Sequence, residues 1–246
     1  MRIAIAGYKG RMGRMLVAAL ESDGGGMSFA AGTASGDDPE KLFGSENRVD
    51  AVIDFTTPAA TRKHIWLAAK HHTPIVIGTT GLTEADMKEM HDAARECPLL
   101  FSANMSVGVN LLAALVEQAA ARLGPDFDIE ILETHHRNKI DAPSGTALML
   151  GRAASAHLPS PPGRGQGEGE GTRKGPRQAG TIGYAVQRGG DVVGEHTVTF
   201  FGPGERVELG HRAHNRSLFA KGALRAARWL KDRPHGFYTM RDVLGL

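Results

Sequence analysis

The chain has one cysteine in 246 residues. No disulfide can form within it, which predicts a reducing compartment with Cys97 as a small buried hydrophobe. It lacks an excess of either charge: 29 basic against 27 acidic residues leave +2, too little to grip nucleic acid or an anionic membrane through a net field. It also lacks a long apolar run. The opening "MRIAIAGYKGRMG" reaches glycine before a signal-peptide core could form, and nowhere do the roughly 20 apolar residues of a membrane span follow one another. No internal repeat is visible. These absences predict a soluble, cytoplasmic protein with no nucleic-acid or membrane partner, long enough for two modest compact units. The one low-complexity stretch, "PSPPGRGQGEGEGTRKGPRQ" (159–178), is too rich in Pro, Gly and charge to offset its ordering entropy and is expected to be a mobile loop.

What is present begins with strand, glycine turn and helix: "RIAIAG" (2–7), then "RMGRMLVAALES" (11–22) with apolar residues at helical spacing. The turn Gly7-Tyr8-Lys9-Gly10-Arg11-Met12-Gly13 repeats glycine every third residue, which lets backbone approach a pyrophosphate and aims a helix N-terminus at it. The match to G-x-G-x-x-G is imperfect. The stretches 27–33, 50–56, 73–81 and 98–104 read as further short buried strands with helices between most of them, hence a parallel sheet. Three run out into small polar residues, at Phe55-Thr56, Gly78-Thr79-Thr80 and Ser102-Ala103-Asn104, where a bound dinucleotide would lie. Thr83 and Asp86 form a weak capping box for a helix over 83–96, and a charge interaction with a helix C-terminus accounts for His71 and His72.

In the second half, "DIEILETHH" (128–136) alternates as a strand with one buried face and delivers His135 and His136 to its end. "DAPSGTALMLGRAASAHL" (141–158) then gives a Ser-Gly-Thr turn and an apolar-periodic helix. Free N–H groups at that helix N-terminus, the hydroxyls of Ser144 and Thr146 and the ammonium of Lys139 would form a carboxylate site beside imidazoles able to move protons near neutral pH. A metal is disfavoured: adjacent histidines on a strand point to opposite faces, and no Cys or carboxylate shows ligand spacing. His211 and His214 are expected to pack structurally. Two β-rich runs in 193–210 offer a sheet edge that wants covering.

"GYKGRMG", "DFT", "GTTG", "NMSVGVN" (104–110), "HHRNKIDAPSGTA" (135–147), "VGEHTVTF" (193–200) and "MRDVLGL" (240–246) occur in the order seen in the 4-hydroxy-tetrahydrodipicolinate (dihydrodipicolinate) reductase family, which the chain resembles over essentially its whole length. The resemblance implies an α/β fold: a Rossmann-like dinucleotide domain over 1–105 and 216–246, and an α+β substrate and tetramerisation domain with an open mixed sheet over 106–215. "NMSVGVN" and the region near Arg216 would be hinges whose closure brings hydride donor and acceptor together. It implies NAD(P)H-dependent reduction in lysine and diaminopimelate biosynthesis by a homotetramer. His135 would be the catalytic histidine, Lys139 the proton donor, and His136, Lys139, Ser144, Gly145 and Thr146 the carboxylate binders, with Thr80 reaching the substrate. Gly7, Lys9, Gly10, Arg11, Met12, Phe55, Gly78, Thr80, Ser102, Ala103, Asn104 and Met105 would meet the cofactor, and no metal is implied.

Two departures bear on cofactor choice. Ala34 and Ser35 stand where an NAD site places an acid, and Thr57 follows "DFT" where many relatives carry arginine. With Lys9 and Arg11 on the ribose side, both cofactors are expected to be accepted with NADPH modestly preferred, unless Asp37 or Asp38 swings back as the missing acid. Two other readings stay open: another nicotinamide oxidoreductase acting on a small dicarboxylate, and a non-catalytic dinucleotide-sensing module.

Overall fold

The structure, a computed structural model, describes residues 1–22, 26–43, 49–156 and 176–246. Most of the expected 159–178 loop lies outside the described residues. Two compact units divide the chain, Met1–Val107 with Ser217–Leu246 and Gly108–Arg216.

The first unit alternates strand and helix: β1 (Arg2–Ala6), α1 (Arg11–Glu21), β2 (Ser28–Thr33), β3 (Ala51–Asp54), α2 (Pro58–Lys70), β4 (Ile75–Ile77), α3 (Glu84–Ala93) and β5 (Pro98–Phe101). The strands are three to six residues long and almost wholly apolar, as befits a sheet covered on both faces. The second unit holds most of α4 (Val107–Leu123), then β6 (Asp128–His135), α5 (Gly145–Ser155), β7 (Ile182–Arg188), β8 (Gly194–Gly202) and β9 (Glu205–Ala213). The chain then returns to the first unit with α6 (Ser217–Leu230), β10 (Gly236–Tyr238) and α7 (Met240–Leu244).

The first sheet has the order β10-β5-β4-β3-β1-β2 and every pairing is parallel, so all its strands deliver their C-terminal ends to one edge. The order reverses between β1 and β3, and the crevice at such a switch is where doubly wound sheets take ligands. One of its faces is filled by α1 and by Ala220, Ala223, Leu224, Ala226, Ala227 and Leu230 of α6, all buried. The helices are well stopped and started. Asp86 gives α3 a full capping box with Thr83 and also takes the Arg62 guanidinium, so it cross-links α3 to α2. Thr57 caps α2 by accepting from the Ala60 N–H. His71 sits at the C-cap of α2 with its ring turned to Glu40, and the ring of His72 donates to the backbone carbonyl of Glu96, so specific partners add to the helix end at this pair.

The second sheet has the order β7-β6-β8-β9, with β6 parallel to β7 and antiparallel to β8. Ile129, Ile131, Val198 and Phe200 turn inward onto Leu150 and Ala154 of α5 and Leu112 and Val116 of α4. The acid-apolar alternation of β6 breaks at Leu132-Glu133: Leu132 points out at 39% exposure, and Glu133 points into the core with none. That inversion places the site.

Candidate functional site

Glu133 and His135 are two apart on β6 and therefore share a face, and both are buried. A buried carboxylate must be matched, and this one is matched four times. Glu133 Oε1 accepts from the Ser144 N–H at 3.0 Å and from Arg188 Nη2 at 2.8 Å; Oε2 accepts from Arg188 Nη1 at 3.0 Å and meets His135 Nδ1. Burial works to raise the Glu133 carboxyl, but the Arg188 fork, His135 and the Ser144 N–H together hold it below the usual range. His135 lies below its ordinary value, chiefly through burial and further through Lys139 and Arg188, with Glu133 pulling the other way. His196 on β8 stands opposite Glu133, its ring edge-on to His135 with centroids 5.1 Å apart. Its Nε2 lies 3.1 Å from Ser144 Oγ, its Nδ1 is buried with no partner among the described residues, and burial, with His135 beside it, pushes the imidazole down to about 4.

The 136–144 loop is pinned beside this group. The His136 N–H donates to Val192 O, Lys139 N–H to His136 O, and Arg188 Nη2 to Asp141 O. Ser144 caps α5, its Oγ accepting from the Ala147 N–H at 3.1 Å, so its hydroxyl and its N–H both serve internal partners. The cradle expected for a carboxylate already contains one. Lys139 Nζ donates to both oxygens of Asp141, at 2.7 and 2.8 Å, and the Gly145 N–H at the start of α5 also donates to that carboxylate; Lys139 first, then these contacts, draw its carboxyl down. Thr146 and Gly145 lie on the first turn of α5, beside Ser144.

Glu133, His135 and His196 offer ligand atoms within 4.8 Å of one another. A cation there would face the Arg188 guanidinium, which occupies both Glu133 oxygens. The trio is a hydrogen-bonded group by its donor set.

In the first unit the glycine turn follows β1, Phe55 and Thr56 follow β3, Gly78 to Thr80 follow β4, and Ser102 to Met105 follow β5, all at the C-terminal edge. Gly7 has φ +74°, and a Cβ on Gly13 would collide with Gly7 O and the Tyr8 backbone, so α1 is drawn tight against the turn. Gly10 gives α1 no side-chain cap, and no acid lies in its first turn. An uncapped, acid-free helix N-terminus behind a glycine turn fits a pyrophosphate. Lys9 and Arg11 are exposed at the same turn, Met12 is partly buried, and Lys9 Nζ sits 5.6 Å from the centroid of the Tyr8 ring. Asp54, wholly buried, ties two of these loops together. It accepts from the Thr56 N–H and Oγ1 at 2.9 and 2.6 Å and meets His64 Nδ1 at 2.9 Å, while Thr79 Oγ1 is 3.0 Å from the same N–H of Thr56. Ser102 Oγ donates to Asn104 O, and the Ser106 N–H to Asn104 Oδ1.

A family model described as the N-terminus of dihydrodipicolinate reductase matches residues 1–105, and one described as its C-terminus matches residues 108–244. The chain belongs to the dihydrodipicolinate reductase family. It is 49% identical over 257 residues to the 4-hydroxy-tetrahydrodipicolinate reductase of Zymomonas mobilis, covering 100% of this chain and 98% of that one. The reductase of Methylocella silvestris is 48% identical, with 100% and 97% covered. A solved dihydrodipicolinate reductase from Paenisporosarcina, with dipicolinate bound, shares 25% identity at a TM-score of 0.77 over 97% of each chain. A probable dehydrogenase from Thermotoga maritima, 11% identical with a TM-score of 0.62, shares the fold.

Within this family frame, the expected residues fall into two groups. His135, His136, Lys139, Ser144, Gly145 and Thr146 gather at the end of β6 and the start of α5, and the remainder line the strand ends of the first unit. Sequence reasoning missed Glu133, Arg188, His196, Asp54 and His64. For Glu133 the signal was available, because an acid two residues before a histidine on a strand shares its face.

Proposed function

We propose that this chain reduces 4-hydroxy-tetrahydrodipicolinate to tetrahydrodipicolinate at the expense of NAD(P)H, as its relatives are named to do. The observation that carries the reading is the Asp141 carboxylate held by Lys139 and the Gly145 N–H next to His135: the cradle accepts a carboxylate, and a proton-exchanging imidazole stands beside it. Lys139, Gly145 and Thr146 bind the substrate carboxylates, and the imidazoles of His135 and His136 border the ring. When bound, the reduced nicotinamide supplies a hydride to a ring carbon of the conjugated imine left by loss of water. Lys139, which donates to the Asp141 carboxylate beside His135, carries the proton that the resulting enamine takes up. Gly7, Gly10, Arg11 and Met12 hold the pyrophosphate side, and Phe55, Gly78, Thr80 and the 102–105 turn hold the nicotinamide side.

NADH and NADPH both serve, with NADPH preferred several-fold through Lys9 and Arg11. Against that preference, Asp37 does fold back, its Oδ2 accepting from the Ala34 N–H at 2.8 Å. Comparing kcat/KM for the two cofactors at low and high salt, with Lys9→Ala alongside, decides it: an NADH preference indifferent to both gives the role to Asp37. The outward face of the second sheet, with Leu132 and Phe201 exposed at 39% and 42%, is the surface a homotetramer would cover. Light scattering at micromolar concentration giving the 26.2 kDa of one chain would refute the assembly. The activity itself is tested by cofactor oxidation with the substrate generated in situ. No oxidation with that substrate would overturn the reading.

A further inference from the structure

Four hydrogen bonds on one carboxylate determine a tautomer. Arg188 and the Ser144 N–H can only donate, and they occupy Glu133 so fully that it is held ionised, an acceptor on both oxygens. The remaining contact, His135 Nδ1, must then be the donor. A neutral His135 therefore carries its proton on Nδ1 and its lone pair on Nε2. A Cβ on Gly194 would approach Nε2 to 3.0 Å, so a side chain at that position would crowd this nitrogen. The same carboxylate holds the N–H that begins the α5 cap, and the same guanidinium holds the Asp141 carbonyl, so imidazole and carboxylate cradle share one anchor.

We propose that Glu133, clamped by Arg188, is a positioning residue for the reduction: it locks His135 as the Nδ1–H tautomer, presents the Nε2 lone pair as the acceptor at the substrate while Lys139 donates, and keeps the carboxylate cradle in register with that atom. The inference rests on the reading of His135 as the acid/base group. The charged and titratable groups around the imidazole come from every neighbouring element: Glu133 on β6, Lys139 and Asp141 on the following loop, Arg188 on β7 and His196 on β8. Glu133 and Arg188 act on it with opposite sign, which a generic packing role would not do.

The test is a pH titration of the His135 imidazole by NMR, assigned by loss of its signal in His135→Gln, in the wild type, Glu133→Gln and Arg188→Met, with thermal melts to verify folding. No substrate is needed. The wild type should show nitrogen shifts of the Nδ1–H form. Glu133→Gln should lower the pKa of His135 and Arg188→Met should raise it, each by about one unit. Both variants should lose about 10- to 100-fold in kcat/KM, part of the 10²–10⁴ that a positioned acid or base contributes. Shifts in the same direction in folded variants, or an Nε2–H tautomer in the wild type, would overturn the positioning role. If Glu133→Gln does not fold, Arg188→Met alone decides, and an unmoved His135 sinks the idea. The expected titration combined with wild-type kcat in His135→Gln would overturn the functional reading beneath it, and the two failures are thereby told apart.

Discussion

Asp54 in the first unit and Glu133 in the second are both wholly buried carboxylates at or near the C-terminal end of a strand, and they are solvated by different means. Asp54 is surrounded by a backbone N–H, hydroxyls and the His64 ring, and it joins the loops after β3 and β4. Glu133 has a full guanidinium across both oxygens and the His135 imidazole in direct contact. The difference teaches where rigidity is needed. On the proposed function, the loops that would cradle a cofactor are tied by adjustable hydroxyls, whereas the imidazole proposed to act on the substrate leans on a carboxylate held by a bidentate ion pair, whose fork fixes direction as well as distance.

The comparison breaks first at the chemistry. Lys139→Met keeps bulk and removes the ammonium, and kcat should fall by about 10²–10⁴, while His72→Gln, far from both hubs in sequence and role, should stay within about twofold. Retention of more than about a third of kcat in Lys139→Met would remove it from the proton path.

A second effect is on stability and belongs to the Glu133 side. With His196 held to about 4 when folded, the unfolded chain takes up a proton from about 6.5 downward while the folded one does not. Stability should therefore fall as pH drops through that window, by on the order of 2 kcal/mol between pH 7 and 5. His135 and His211, both lowered mainly by burial, add in the same direction. Urea melts that do not change over this range, or a slope unaltered by His196→Gln, would contradict it.

Asp54→Asn sharpens the contrast from the other side. It should raise the cofactor KM roughly tenfold, equivalent to about 1.4 kcal/mol, and leave kcat at saturation nearly unchanged. A kcat loss with unaltered cofactor KM would mean that the two hubs do the same work. The smallest effect is expected at Asp141, whose exposed ion pair with Lys139 holds the cradle when no ligand is present. If the proposed function holds, Asp141→Asn should bind a small aromatic dicarboxylate a few-fold more tightly by calorimetry, the scale of an exposed pair. Weaker binding would show that Asp141 instead holds Lys139 in place for the ligand.

Much of this was legible in the sequence. The parallel sheet and the start of α5 follow from local patterns: short β-branched runs, glycine spacing, and a Ser-Gly-Thr turn before an apolar helix, although the Ser144 hydroxyl expected to face a ligand instead caps that helix. The hubs were not legible, for different reasons. Arg188 and His196 reach Glu133 from 55 and 63 residues away, through strand pairings that no local pattern specifies. Asp54 reads as the end of a buried strand, and only the fold brings His64 and Thr79 to it. Asp141 drew no reading of its own, and its carboxylate proved to be the partner of the Lys139 ammonium that was expected to meet a ligand.

The division of the first unit into Met1–Val107 and Ser217–Leu246 has a consequence for synthesis. When the first 107 residues have left the ribosome, the sheet face that Ala220, Ala223, Leu224 and Ala227 will cover is still open, and its edge strand β10 is not yet made. At about 5–20 residues per second the missing helix is complete some 6 to 25 seconds later. During that interval the nascent chain displays an uncovered apolar surface and an unpaired strand edge, while the intervening second unit is continuous in sequence and free to fold as it emerges. The dinucleotide half is thus the last to be finished although it is the first to be made, and that delay is where chaperone dependence would concentrate.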